Sequence, residues 1–118
     1  NEISSYIGIQ QMKKMDWILN VQRENALKWN EKLSNSHDIL PIKHNDNLPN
    51  YWVYGTLAKN KREAIIKFRA LKYYASGVHI NNNIYSVFGN YEPLPGVSDF
   101  YNRFVALPCG WWMENVLL

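Results

Sequence analysis

Apolar residues recur along the first third of the chain at spacings of three, four or their sums: Ile3, Ile7, Met12, Met15, Ile18, Leu19, Ala26, Trp29 and Leu33. That period puts them on one helical face and predicts an amphipathic helix from about Glu2 to Leu33, ~48 Å long at ~1.5 Å per residue. Such a helix exceeds the diameter of a small domain and is expected to bridge to something beyond these residues. Ser34-Asn35-Ser36 breaks the pattern, and Asp38 to Lys43 reads as a short strand before the polar loop His44 to Asn47. Tyr51 to Leu57, rich in aromatic and β-branched side chains with Gly55 inside it, reads as a second strand. Asn60 stands as an N-cap with Glu63 three residues on, and Ile65, Phe68, Leu71 and Ala75 form a helical stripe ending at Ser76-Gly77. Val78 to Asn81 reads as a third strand, Val97 to Tyr101 as one or two helical turns, and Arg103 to Leu107 as a last strand closed by Pro108.

These elements predict an α/β fold: a small α/β sandwich with a long N-terminal helix and a sheet of about four strands, with the helix from Asn60 to Ala75 and part of the first helix on one face. Trp111 to Leu118 reads as the opening of a further element without a stop signal. With the helical pattern already running at residue 2, the chain is expected to be a segment of a longer protein.

Composition narrows the picture. The chain has 118 residues, 47% hydrophobic and 19% charged, which suits one domain with a real core and excludes a disordered or low-complexity segment. Its apolar runs are far shorter than the ~20 residues that cross a bilayer. Net charge is +3, yet the cations are scattered, and no block exceeds Lys59-Asn-Lys-Arg62, too thin a stripe to neutralise many phosphates, so no nucleic-acid partner is expected. Cys109 is the only cysteine, which rules out an internal disulfide and a paired-cysteine metal or redox site and suits a reducing, cytoplasmic setting.

The candidate chemistry lies in polar groups that the pattern does not require. His79, between Val78 and Ile80, is followed by Asn81, Asn82 and Asn83, so four hydrogen-bonding side chains meet where a strand is expected to end. Loops at strand ends commonly hold ligands. The ordinary structural reading stands beside this one: the asparagines form a turn and His79 is a satisfied strand residue. Trp52 and Tyr54 are expected on one strand face, with Tyr51 and Val53 on the other, as stacking platforms or as core. Lys59, Lys61, Arg62 and Lys67 form a weak anion-attracting surface or solvated helix charge. His37 and His44 lack partners at metal-ligand spacing, so no metal is expected. Cys109, between Pro108 and Gly110 with no evident base, reads as a buried structural thiol.

Several motifs in register resemble one family. Asn1-Glu-Ile-Ser-Ser-Tyr-Ile-Gly-Ile-Gln-Gln-Met-Lys-Lys-Met-Asp16 is similar to the segment that opens the long helix between the large and small domains of the DegT/DnrJ/StrS family of pyridoxal-phosphate-dependent sugar aminotransferases. Asn50-Tyr-Trp-Val53 resembles its His-x-Tyr-Val strand, with Trp for Tyr. Val78-His-Ile-Asn-Asn-Asn83, Leu94-Pro-Gly-Val97 and Leu107-Pro-Cys-Gly-Trp-Trp112 resemble one branch of it, in which Val-His-x-x-Asn-Asp is followed by Pro-Gly-Val and Pro-Cys-Gly-Trp-Trp.

The resemblance implies the aspartate-aminotransferase fold, in which a large domain binds pyridoxal phosphate through a lysine and a small C-terminal domain covers the site. Residues 1–118 would be that small domain, with 1–34 as the interdomain helix and 35–118 as the α/β sandwich. The resemblance further implies a homodimer, a nucleotide-linked keto sugar as substrate and an amino acid as nitrogen donor. The Schiff-base lysine would lie upstream of Asn1, so this segment alone is expected to hold no cofactor and to be inactive, with no catalytic residue of its own. His79 and Asn82 carry over as substrate contacts; Asn81 stands where that branch often has a basic residue and Asn83 where it has Asp. The alternatives are a same-fold sugar dehydratase, a free-standing ligand-binding or regulatory α/β module, and a structural or dimerisation domain.

Overall fold

A computed structural model describes residues 1–45, 47–89 and 92–113. Its elements run α1 (Glu2–Met12), α2 (Met15–Leu33), β1 (Ile39–Pro41), β2 (Val53–Ala58), α3 (Lys61–Ala70), α4 (Pro95–Arg103) and β3 (Phe104–Pro108), with 3₁₀ turns at Asn82–Ile84, Ser86–Phe88 and Trp111–Met113. The expected α/β class holds. The element expected from Trp111 onward begins with that last turn, and its remainder lies outside the described residues.

The sheet has three strands, not about four, in the order β1-β2-β3 and antiparallel throughout, with Tyr54 opposite Leu107 and Thr56 opposite Val105. One face, carrying Tyr54, Thr56, Ala58, Val105 and Leu107, is buried under α2 and α3. Trp29 sits at its centre, fully buried, with its ring in contact with Tyr54, Phe68 and Tyr73 at centroid distances of 6.1, 5.7 and 5.0 Å. On the other face Phe100 of α4 stacks on Phe104 at 4.9 Å. Gly55 keeps this contact close: a Cβ would meet Ile42 Cδ1 at 3.0 Å and Phe104 Cε2 at 3.1 Å, and those side chains would have to give way.

Three expectations are corrected. The single helix from Glu2 to Leu33 is two, interrupted at Lys13-Lys14, where the Lys14 N–H bonds Gln11 O in a tightened turn. All of α1 is free of buried residues, with Ile3 73% and Met12 63% exposed, so its apolar period has nothing to pack against within these residues. The helix expected from Asn60 to Ala75, α3, ends at Ala70: Lys72 adopts φ +68°, and the chain turns Tyr73 and Ala75 into the core. Finally, Val78 to Asn81 is not a strand. Ser76 pairs with Ala106 through both main-chain bonds, but Val78 takes φ +49° and the His79 N–H bonds Gly77 O at 2.7 Å, which bends the chain away from the sheet.

Candidate functional site

The bend at Val78 creates the site. Because the chain leaves β3's edge there, residues 79–83 form a loop instead of a strand end, and α4 returns beside them. Together they enclose an open cleft of about 410 Å³ lined by His79, Ile80, Asn81, Asn82, Asn83, Leu94 and Val97. All four residues singled out from the sequence therefore meet in one cleft, although not on the element expected. A smaller cavity of about 170 Å³ adjoins it, walled by Phe100, Tyr101 and Phe104 and sharing His79, Ile80, Asn81 and Val97.

Local hydrogen bonds set the asparagines. The Tyr85 N–H bonds Asn82 O at 3.2 Å to form the 3₁₀ turn, and Asn83 Nδ2 donates to Glu92 O at 3.0 Å, tying the far end of the loop to the approach of α4. Asn83 Oδ1 is buried with no partner among the described residues. Asn82 and His79 are exposed, and the contact recorded for the imidazole is the indole of Trp52, at 5.8 Å between ring centroids.

Two residues outside the cleft lining, Trp52 and Lys61, support it from positions that sequence reasoning did not foresee. Trp52 and Tyr54 do not form a shared platform: Tyr54 is buried and donates to Asn30 Oδ1, while Trp52 is 54% exposed beside His79. Tyr51, just outside β2 at φ +51°, stacks on Tyr54 instead of pairing with Val53. Lys61 reaches across Gly77, where a Cβ would lie 2.9 Å from its Nζ, and donates to Tyr101 O at 2.7 Å. Burial pulls its ammonium below the ordinary lysine range. It braces the root of the 79–83 loop against the end of α4. Lys59 likewise pairs with Asp38 at 3.0 Å and holds that carboxyl below its usual range.

Among the described residues no group of three His, Cys, Asp or Glu could hold a metal ion. Cys109 is fully buried, bonds Gln22 O at 3.3 Å, and is pushed up by burial to about 12. No helix among the described residues is long and apolar enough to cross a membrane. The cleft lining contains no lysine, arginine or carboxylate, so these residues do not fit pyridoxal phosphate, which needs an imine-forming amine and donors for its phosphate. What they offer are amide and imidazole donors and acceptors beside apolar walls, a set suited to hydroxyl groups.

The sequence matches the family model of the DegT/DnrJ/EryC1/StrS aminotransferase family over residues 1–116. No curated protein matches it. Among solved structures, the sugar aminotransferase CalS13 from Micromonospora echinospora aligns with TM-score 0.88 and 24% identity over 98% of this chain and 32% of that one. Helicobacter pylori PseC, an aminotransferase involved in the biosynthesis of pseudoaminic acid, aligns with TM-score 0.79 and 24% identity over 99% of this chain and 34% of that one. The Escherichia coli GDP-4-keto-6-deoxy-D-mannose-3-dehydratase, solved with bound hydrated PLP, aligns with TM-score 0.79 and 12% identity over 98% and 33%. The chain thus spans about a third of the structures it matches.

Proposed function

This chain belongs to the DegT/DnrJ/EryC1/StrS aminotransferase family, and from that premise we propose that it is the C-terminal small domain of a cytoplasmic, homodimeric, pyridoxal-phosphate-dependent aminotransferase acting on a nucleotide-linked keto sugar. Residues 1–34 join it to the large domain and 35–118 cover the active site. The cofactor supplies the electron sink, and the groups that hold it lie outside this chain. The chain's own part is to bind and orient the sugar through His79 and Asn82, with Asn81 and Asn83 shaping the cleft. The observation that carries this reading is the convergence of His79, Asn81, Asn82 and Asn83 on one open cleft whose lining has no lysine, arginine or carboxylate.

The test is kinetic and uses the full-length protein, a panel of UDP-, dTDP- and GDP-linked keto sugars, and L-glutamate as donor. His79→Ala and Asn82→Ala should each lower kcat/KM for the accepted sugar by about 5- to 150-fold, the range for a lost hydrogen bond to a substrate, with cofactor content and melting temperature nearly unchanged. A fall in melting temperature with unaltered sugar kinetics assigns these residues to loop stability and overturns the reading.

A dehydratase is the second reading, favoured by the fold shared with the Escherichia coli enzyme. Borohydride reduction of the holoprotein followed by peptide mapping separates the two: an aminotransferase yields a pyridoxyl-lysine in a peptide outside residues 1–118, and a dehydratase lacking that lysine yields none. An adduct on any of the nine lysines of this chain contradicts both.

A further inference from the structure

His79 is placed by unusual means. It follows a β-branched residue at φ +49°, its own N–H closes a three-residue turn on Gly77, and it has left the sheet that would have oriented it. Among the described residues its imidazole makes no hydrogen bond, and its recorded side-chain contact is Trp52, at 5.8 Å and 54° between the rings. Trp52 is itself set by a tight local structure. Its N–H bonds Asn50 Oδ1 at 3.2 Å, Tyr51 before it stacks on Tyr54, and β2 begins directly after it. The indole therefore projects from a fixed strand end, whereas the imidazole projects from a strained loop.

From this asymmetry we infer that Trp52 is a positioning residue for His79: its indole holds the imidazole at the rim of the cleft and leaves both ring nitrogens free for the substrate. The cleft lining includes His79 but not Trp52, which lines a separate groove with Asn50, Tyr51 and Phe104. Trp52 acts on the ligand through His79. Aromatic pairs at this separation have a defined geometry, so the ring, not merely apolar bulk, is what matters. The inference rests on the proposed substrate role of His79.

A double-mutant cycle in the full-length enzyme tests it, using whichever keto sugar of the UDP, dTDP and GDP panel the wild type aminates. Trp52→Ala should lower kcat/KM about 5- to 10-fold in the wild-type background and less than about 2-fold in the His79→Ala background, because the two act as a unit. Trp52→Phe should restore most of the loss and Trp52→Leu should not. Independently of turnover, the His79 Cε1–H resonance should be displaced by the indole ring current in the wild type and return toward the free-histidine position in Trp52→Leu. Equal losses for Trp52→Ala in both backgrounds would mean that Trp52 meets the substrate itself, and this overturns the inference alone. So does an active His79 with an indifferent Trp52, or a His79 resonance unmoved by Trp52→Leu. A His79→Ala variant with unaltered kinetics, or a wild type that aminates none of the panel, removes the substrate role of His79 and the inference with it.

Discussion

Trp29 of α2 donates its indole N–H to the carbonyl oxygen of Pro108 at 2.9 Å, joining the helix to the end of β3. Two more bonds run alongside: Asn25 Nδ2 to Gly110 O at 3.1 Å, and Cys109 Sγ to Gln22 O at 3.3 Å. Residues 22, 25 and 29 lie on one stripe of α2, so the Pro108-Cys109-Gly110 segment is a strip against which the helix docks. The physical role of that motif is thereby structural, and it leaves the opposite face of the sheet to α4 and the cleft.

Trp29→Phe should keep the fold and lower unfolding stability by about 1–3 kcal/mol, since it leaves the half-buried Pro108 carbonyl without its donor, whereas Trp29→Ala should cost about 3–5 kcal/mol through the cavity as well. Urea denaturation of both variants measures the difference. Equal losses would show that the indole N–H contributes nothing beyond ring volume.

Cys109 should resist thiol reagents at pH 8 in the native state and react only as fast as the protein opens. Its pKa is raised from 9.0 to about 12 by burial, so above pH 9 the unfolded chain loses a proton that the native state retains. Stability should therefore be insensitive to this thiol below pH 9 and fall as pH rises from 9 toward 12, with burial of the Tyr54 phenol adding in the same direction. Cys109→Ala should make that alkaline decline shallower in denaturation curves taken across the range.

At the start of α3, Asn60 Oδ1 accepts from the Glu63 N–H at 3.2 Å. Asn60→Ala should cost about 1 kcal/mol and Asn60→Asp much less, because the carboxylate also caps and faces the positive helix end. Thermal unfolding compares the two.

Val78 offers a sharper contrast. Inside a strand, Val→Gly is destabilising, but here the residue sits at φ +49°, where a β-branched side chain is strained. Val78→Gly should raise stability by up to about 1 kcal/mol. A loss of that size in calorimetry would restore the strand assignment for residues 78–81.

The 11 residues of α1 bury none of their side chains, and isolated helices of this length are marginal in water. With residues 1–118 produced alone, amides of Glu2–Met12 should exchange with little protection while those of Val21–Leu33 are strongly protected. Comparable protection in both stretches would show that α1 has found a surface to pack on.

Local signals account for what the sequence by itself determined. The α3 N-cap needs Asn60 and Glu63 three residues apart, β2 and β3 need only their apolar, β-branched character, and the grouping of His79 with three asparagines is visible as adjacency. Tertiary structure decided what depends on partners remote in sequence. Lys72 at φ +68° carries no glycine to announce the end of α3; the chain turns there because Tyr73 gains Trp29 as a neighbour. Val78 reads as a strand residue by type, yet Lys61 over Gly77 and the turn from Gly77 to His79 carry it off the sheet. Trp52 and His79 stand 27 positions apart, and period-two reasoning places the indole on the face of Tyr54 because the strand expected from Tyr51 begins only at Val53, past the indole. Side-chain type and short spacing set which elements form; where each one stops, and which polar groups it delivers to the cleft, follows from packing that no short stretch of the chain contains.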